Sequence, residues 1–132
     1  MELQNSSDLF FFKENKLKKE EISPFSLDAL VDTGAVSLFL PEDVVKKLGL
    51  QIIGDITVQY ADERKEQRKM AGAVLVKILN RSMTTDCIVG PPNSEALIGQ
   101  IVLEALDLIP DPRRKKLYPR PEAPIYSLIK MK

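Results

Sequence analysis

The sequence contains no histidine. Ser/His and Cys/His nucleophile pairs are therefore excluded within one chain, as are histidine-ligated zinc sites. Cysteine is almost as scarce. Cys87 stands alone, so there is no partner for an internal disulfide and no thiol cluster to hold a metal. It lies in the apolar run TTDCIVG and reads as a buried small hydrophobe, not a reactive thiol. No apolar run is long enough to cross a membrane. The opening stretch MELQNSSDLFFFKENK has neither a basic first segment nor a small-residue cleavage site, so it does not read as a secretory signal. A cytoplasmic location is the expectation. Neither sign of charge is in excess: 19 basic residues balance 19 acidic ones, which removes the general electrostatic case for nucleic acid. The one basic run, Arg113-Arg114-Lys115-Lys116, sits between Asp111-Pro112 and Leu117-Tyr118-Pro119 and reads as a solvated turn. What remains for chemistry is carboxylates, with no metal or cofactor called for.

The 132 residues suggest a single domain, and with 44% of them apolar a core can form. Disorder is confined at most to residues 1–8. Leu9–Phe12 is a candidate outer strand and Lys13–Glu21 a charged loop. Leu27, Ala29 and Val31 alternate with Ser26, Asp28 and Leu30, a strand period running into Asp32. Pro41–Leu48 carries the clearest helix signals: Pro41 at the first helical position, Glu42 and Asp43 in the first turn, Lys46 and Lys47 in the last, and Gly49 as a left-handed stop. Val44, Val45 and Leu48 share one face. Ile56, Val58 and Tyr60 alternate, and ADERKEQRKMAG then reads as a charged hairpin or loop. Ala73–Leu79 and Thr84–Val89 read as strands around a turn at Asn80–Ser82. Ala96–Ile98 is a short buried run, Gln100–Leu106 a short helix, Leu108–Ile109 a strand stopped by Pro110, and Ile125–Met131 a last strand. The class is mainly β with two short helices.

Within this frame, ALVDTGAVSLFL at 29–40 stands out. Asp-Thr-Gly alone is an ordinary turn, in which Asp caps its own backbone and Gly supplies positive φ. Its flanks are apolar on both sides, which argues that the turn is held inside the protein. A carboxylate there needs a partner or a raised pKa.

ALVDTGA at 29–35, LGL at 48–50, LIG at 97–99, LEALDL at 103–108 and DP at 111–112 follow one another as they do in retropepsin-like aspartic proteases, which the chain resembles, most of all their small bacterial soluble members. The resemblance covers residues 25–120. It implies a closed β-barrel of the acid-protease type, one lobe per chain, across residues 1–132. It also implies an aspartic endopeptidase in which Asp32 from each of two subunits forms the catalytic pair. No other Asp precedes Thr-Gly or Ser-Gly, so a homodimer follows from the resemblance. The partners implied are a second copy and a peptide or protein substrate, with no nucleic acid and no membrane. Thr33 would bond across the dimer axis. Gly34 would let its N–H approach the carboxylate. Ala35 would leave the cleft open. Leu97, Ile98 and Gly99 would support the loop from behind.

Two departures stand out. The region expected to form a flap, between Tyr60 and Val76, carries Ala61, Asp62 and Glu63 and a charged run, and its one glycine, Gly72, comes late. A mobile flap and an ordinary surface hairpin are both open. After Gly99, where viral members often carry Arg for a subunit-linking ion pair, Gln100 cannot make one. Residues 9–12 and 125–131 are candidates for pairing across the axis, with edge strands of a monomer the other reading. Two other functions compete. One is a catalytically silent protease-like module that binds peptides or partners. The other is a phosphotransferase using Asp32, disfavoured by Gly34 where a second Asp would be needed and by the lack of a phosphate loop.

Overall fold

The computed structural model describes residues 1–7, 25–60, 62–114 and 116–120. In chain order the elements are β1 (Glu2–Asn5), β2 (Phe25–Ser26), β3 (Ala29–Val31), β4 (Leu38–Pro41), α1 (Glu42–Leu48), β5 (Gln51–Gln59), β6 (Lys65–Ile78), β7 (Arg81–Gly90), β8 (Ala96–Ile98), α2 (Gln100–Ala105), β9 (Leu108–Asp111) and β10 (Lys116–Pro119). Eight strands form one sheet in the order β2-β1-β6-β7-β4-β8-β3, with β5 joined to β6. The sheet curls into a half-barrel, and the chain is mainly β with two short helices. β9 and β10 form a separate hairpin.

One crossing decides where the chemistry can sit. β3 and β4 are neighbours in sequence but not in the sheet, because β8 lies between them. β8 runs parallel to β3, with Ala29, Leu30 and Val31 opposite Ala96, Leu97 and Ile98, and meets β4 where Phe39 faces Leu97. The connection from β3 to β4, which contains Asp32, must therefore arch over the end of β8.

The core lies inside the curl. Leu3, Leu38, Leu40, Val74, Val76 and Val102 are almost wholly shielded from solvent. Each contributes about 1.5–3 kcal/mol through burial. α1 closes one side with Val44, Val45 and Leu48, as its apolar face predicts. Gly49 takes φ 67° and ψ 28°, and its N–H donates to the Lys46 carbonyl, ending the helix in the left-handed region that glycine enters without steric penalty.

Several expectations change. Pro41 is not the first helical residue. It closes β4 in an extended conformation and stands at the cap position of α1. Residues at the N-terminus, expected to be disordered, begin with β1, which pairs with β2 and β6 and buries Leu3 completely. Of the two readings of the charged stretch after Tyr60, hairpin and loop, the structure has the hairpin: its turn runs through Arg64, and Lys65 starts a strand of 14 residues. No apolar alternation marks its first residues, because the half-buried positions Glu66 and Arg68 are themselves charged. The turn at Asn80–Ser82 is tighter and earlier: Leu79 and Asn80 both take positive φ and Arg81 already belongs to β7. Pro110 does not stop its strand; it sits in β9 opposite Leu117, in a two-stranded hairpin where a missing N–H is tolerated. The strands expected at 9–12 and 125–131, and the loop at 13–21, lie outside the described residues.

Candidate active site

Asp32 follows directly on β3 and is fixed by backbone bonds on both sides of its loop. Its N–H donates to the Ile98 carbonyl at 3.0 Å, and the Ala35 N–H donates back to the Asp32 carbonyl at 3.1 Å. Beyond β8 the chain returns to the same loop: the N–H groups of Gln100 and Ile101 donate to the carbonyls of Ala35 and Val36, each at 2.9 Å. The side-chain amide of Gln100 donates to the Thr33 carbonyl at 3.3 Å. The loop is thus held by main-chain groups, which leaves its side chains free for other work.

Gly99 makes this close approach possible. A Cβ there would stand 2.5 Å from the Ser37 carbonyl oxygen and 2.8 Å from that of Ala35. Leu97 lines the cleft described below, while Ile98 is buried in the core. Of the three residues expected behind the Asp32 loop, Leu97 and Ile98 pair with Leu30 and Val31, and Gly99 underlies Ala35–Ser37.

The Asp32 carboxylate accepts the Gly34 N–H at Oδ1 over 2.9 Å, so the aspartate does cap its own turn. Gly34, however, does not take positive φ, so a left-handed turn is not what glycine serves here. The expectation that the turn is buried also changes. In the single chain Asp32 is half-buried, and Thr33 and Gly34 are exposed. The apolar flanks explain this: Leu38 and Leu40 point into the core, whereas Leu30 and Val36 point outward and are 50% and 65% exposed. No carboxylate or cation of the described residues pairs with Asp32, and among them no cluster of His, Cys, Asp or Glu is placed to hold a metal ion.

A cleft of about 710 Å³ opens over this loop. Its floor is Asp32, Gly34–Ser37, Phe39 and Leu97, one side is Ile88, Gly90, Pro91, Ser94 and Glu95, and its roof is Ile56–Tyr60 with Arg68. The roof belongs to the β5–β6 hairpin. β7 pairs with β6 only as far as Met70 opposite Ile88, so from Lys69 to the tip the hairpin is a two-stranded arm. Its turn is closed by the Tyr60 N–H donating to the Arg64 carbonyl at 2.8 Å and the Glu63 N–H donating to the Tyr60 carbonyl at 3.0 Å. Asp62 and Glu63, expected in the flap, are at this tip; Ala61 lies outside the described residues. Gly72 is not part of the tip. It pairs with Gln51 at the base of the arm, and a Cβ there would run into the Asp86 carboxylate.

Side chains, not glycines, organise the arm. Glu66 accepts from Arg64 at 3.0 Å, from Arg68 at 2.6 Å and from the Tyr60 hydroxyl at 3.4 Å. The Arg64 guanidinium also sits 4.5 Å over the Tyr60 ring. The Tyr60 oxygen raises the Arg68 pKa further, against partial burial and with help from Glu66, so this guanidinium stays charged. Sequence reasoning did not single out Tyr60 and Arg68 as cleft residues. The available signal was slight: Glu66, Arg68 and Met70 alternate as half-buried positions with exposed Lys65, Gln67 and Lys69.

Cys87 is wholly buried in β7, and burial pushes its thiol up to about 12. It plays no part in the cleft.

A family model described as "Aspartyl protease" matches residues 23–102, well over half of the chain. Among solved structures, the chain is similar to EIAV protease in complex with the inhibitor HBY-793, at 19% identity, with 64% of this chain and 78% of that chain covered and a TM-score of 0.51. That likeness is one of fold. No curated protein matches the chain in sequence.

Proposed function

The chain belongs to the aspartyl protease family, and from that premise we propose that it is an endopeptidase whose active site needs two copies of Asp32, one from each subunit of a homodimer. The observation that carries this reading is the Asp32 carboxylate, without an ion-pair partner among the described residues, on the loop at the floor of a roofed cleft. Peptide hydrolysis by carboxylates requires two groups with different protonation states. Two Asp32 side chains brought together cannot both ionise easily, so they share one proton and titrate as a pair. The ionised member takes a proton from water as it attacks the scissile carbonyl. The protonated member donates a hydrogen bond to the carbonyl oxygen and stabilises the tetrahedral oxyanion.

The surface around the loop supports a second copy. Leu30, Val36 and Ile101 are all exposed large hydrophobics. Ile101 is bonded through its backbone to Val36, and among the described residues β3 is the end strand of the sheet, with one edge unpaired. Apolar surface beside Asp32 is suited to burial against the same surface of a twin.

The test is cleavage of a mixed peptide library from about pH 3 to about pH 7.5, comparing wild type with Asp32→Asn. Cuts made by wild type and absent from the variant support the reading. A protein that sediments as a monomer at high concentration and still cuts refutes the shared site, and a dimer that binds peptides but cuts none is a silent binding module.

A further inference from the structure

The cleft is apolar on much of its floor and roof, with Phe39, Leu97, Ile56, Val58 and Ile88, yet a charged guanidinium stands in its roof. Among the described residues Arg68 is its one cationic lining residue. Its side chain is only 24% exposed, and a salt bridge at 2.6 Å to Glu66 holds it in place.

Glu66 does not use up Arg68. Its two oxygens are divided: Oε1 receives Arg64, and Oε2 receives Arg68 together with the Tyr60 hydroxyl. One carboxylate thus serves two cations. The other acid near them, Asp62, reaches only Arg64, at 3.8 Å between exposed side chains, and does little to neutralise it. A guanidinium has five N–H donors in a planar fork, and Arg68 gives a single nitrogen to Glu66. The Tyr60 oxygen is its other side-chain partner, and these two do not fill the five donors. A partly desolvated, pre-oriented fork of this kind suits a carboxylate, which it can meet through two parallel hydrogen bonds.

We propose that Arg68 is a specificity-determining residue: it selects peptides carrying an Asp or Glu side chain, set among apolar residues, at the position that passes beneath the β5–β6 arm, with Glu66 and Tyr60 as the groups that position it. This rests on the protease reading for its peptide ligand but concerns recognition, not hydrolysis, and the two can fail separately.

The experiment therefore uses binding. Full-length Asp32→Asn protein is titrated with fluorescent apolar hexapeptides in which one Glu, or one Gln, is moved through every position. At one position the Glu peptide is expected to bind about tenfold tighter than its Gln twin. The preference should vanish below about pH 4, as the peptide carboxyl is protonated. It should also vanish in Asp32→Asn/Arg68→Met and shift towards Lys in Asp32→Asn/Arg68→Glu. Equal binding of Glu and Gln peptides at every position, or no peptide binding at all, overturns the proposal. So does a uniform loss of affinity in the Arg68→Met protein with the preference intact, which would assign Arg68 to the peptide backbone. Cleavage by the wild-type protein, run in parallel, reports on the protease reading alone.

Discussion

Gly99 lies so close to Ser37 that a Cβ on it would come 2.5 Å from the Ser37 carbonyl oxygen. The atoms in the way are backbone, including Val36 C at 2.7 Å, so no side-chain rotation can relieve the contact. The loop bearing Asp32 and the segment entering α2 are therefore locked at contact distance by the absence of a single methyl group.

Gly99→Ala should be the most disruptive small substitution at the site. It is expected to destabilise the protein by about 2 kcal/mol or more, since overpacking against the main chain moves the loop itself. Gly54→Ala is the control, because a Cβ there meets nothing within 4 Å. Urea unfolding of both variants checks this, with the second expected to stay within about 1 kcal/mol of wild type.

Leu30→Lys and Val36→Lys should separate association from folding. Both positions are at least half exposed in the single chain, so each substitution is expected to change its stability by no more than about 0.5 kcal/mol. In a dimer closed over this surface, each would bury two unpaired cations. Sedimentation should then show monomers where wild type is dimeric, and peptide cleavage should fall with the dimer fraction. Dimers that survive both substitutions would place the interface elsewhere.

Cys87 makes a prediction about alkaline conditions. Burial holds its thiol neutral up to about 12 in the folded protein, against 9.0 for a free thiol. The folded pKa is the higher one, so this group's contribution is fully present below about pH 9. It is lost as pH rises from about 9 towards about 12, while the unfolded chain ionises and the folded one does not, at up to about 1.4 kcal/mol per pH unit. Unfolding free energies of wild type and Cys87→Ala, measured at about pH 8 and about pH 10.5, should converge as the pH is raised. Iodoacetamide should leave native Cys87 unmodified at about pH 8.5 and label it once urea unfolds the chain.

Much of the local structure was legible where one face of an element meets the core and the other meets water. α1 is the clearest case: its charge order, its buried Val44, Val45 and Leu48, and its Gly49 stop all agree with the sequence. Legibility failed where that contrast disappears. Lys65–Met70 is charged or polar at every position but Met70, so its strand carries no apolar stripe, and hairpin and loop both stayed open. β1 is too short for a period to register, although Leu3 is wholly buried. At the site, residues 97–99 were placed behind Asp32 by family resemblance and not by periodicity, since the insertion of β8 between β3 and β4 is a long-range fact. Arg68 was hidden for a related reason: only its place in the cleft lining sets it apart from the neighbouring charges of its run.

The crossing of β8 between β3 and β4 also has a temporal side. Thr33 and Gln100, joined across the loop, are separated by 67 positions. During synthesis Asp32 leaves the ribosome long before β8 exists to receive its N–H, and non-local pairing of this kind forms late. A nascent chain that ends short of Ala96 has no support for its acid and no seat for Gly99. On the proposed reading, the site is thus withheld until β8 and Gly99 have emerged to complete it.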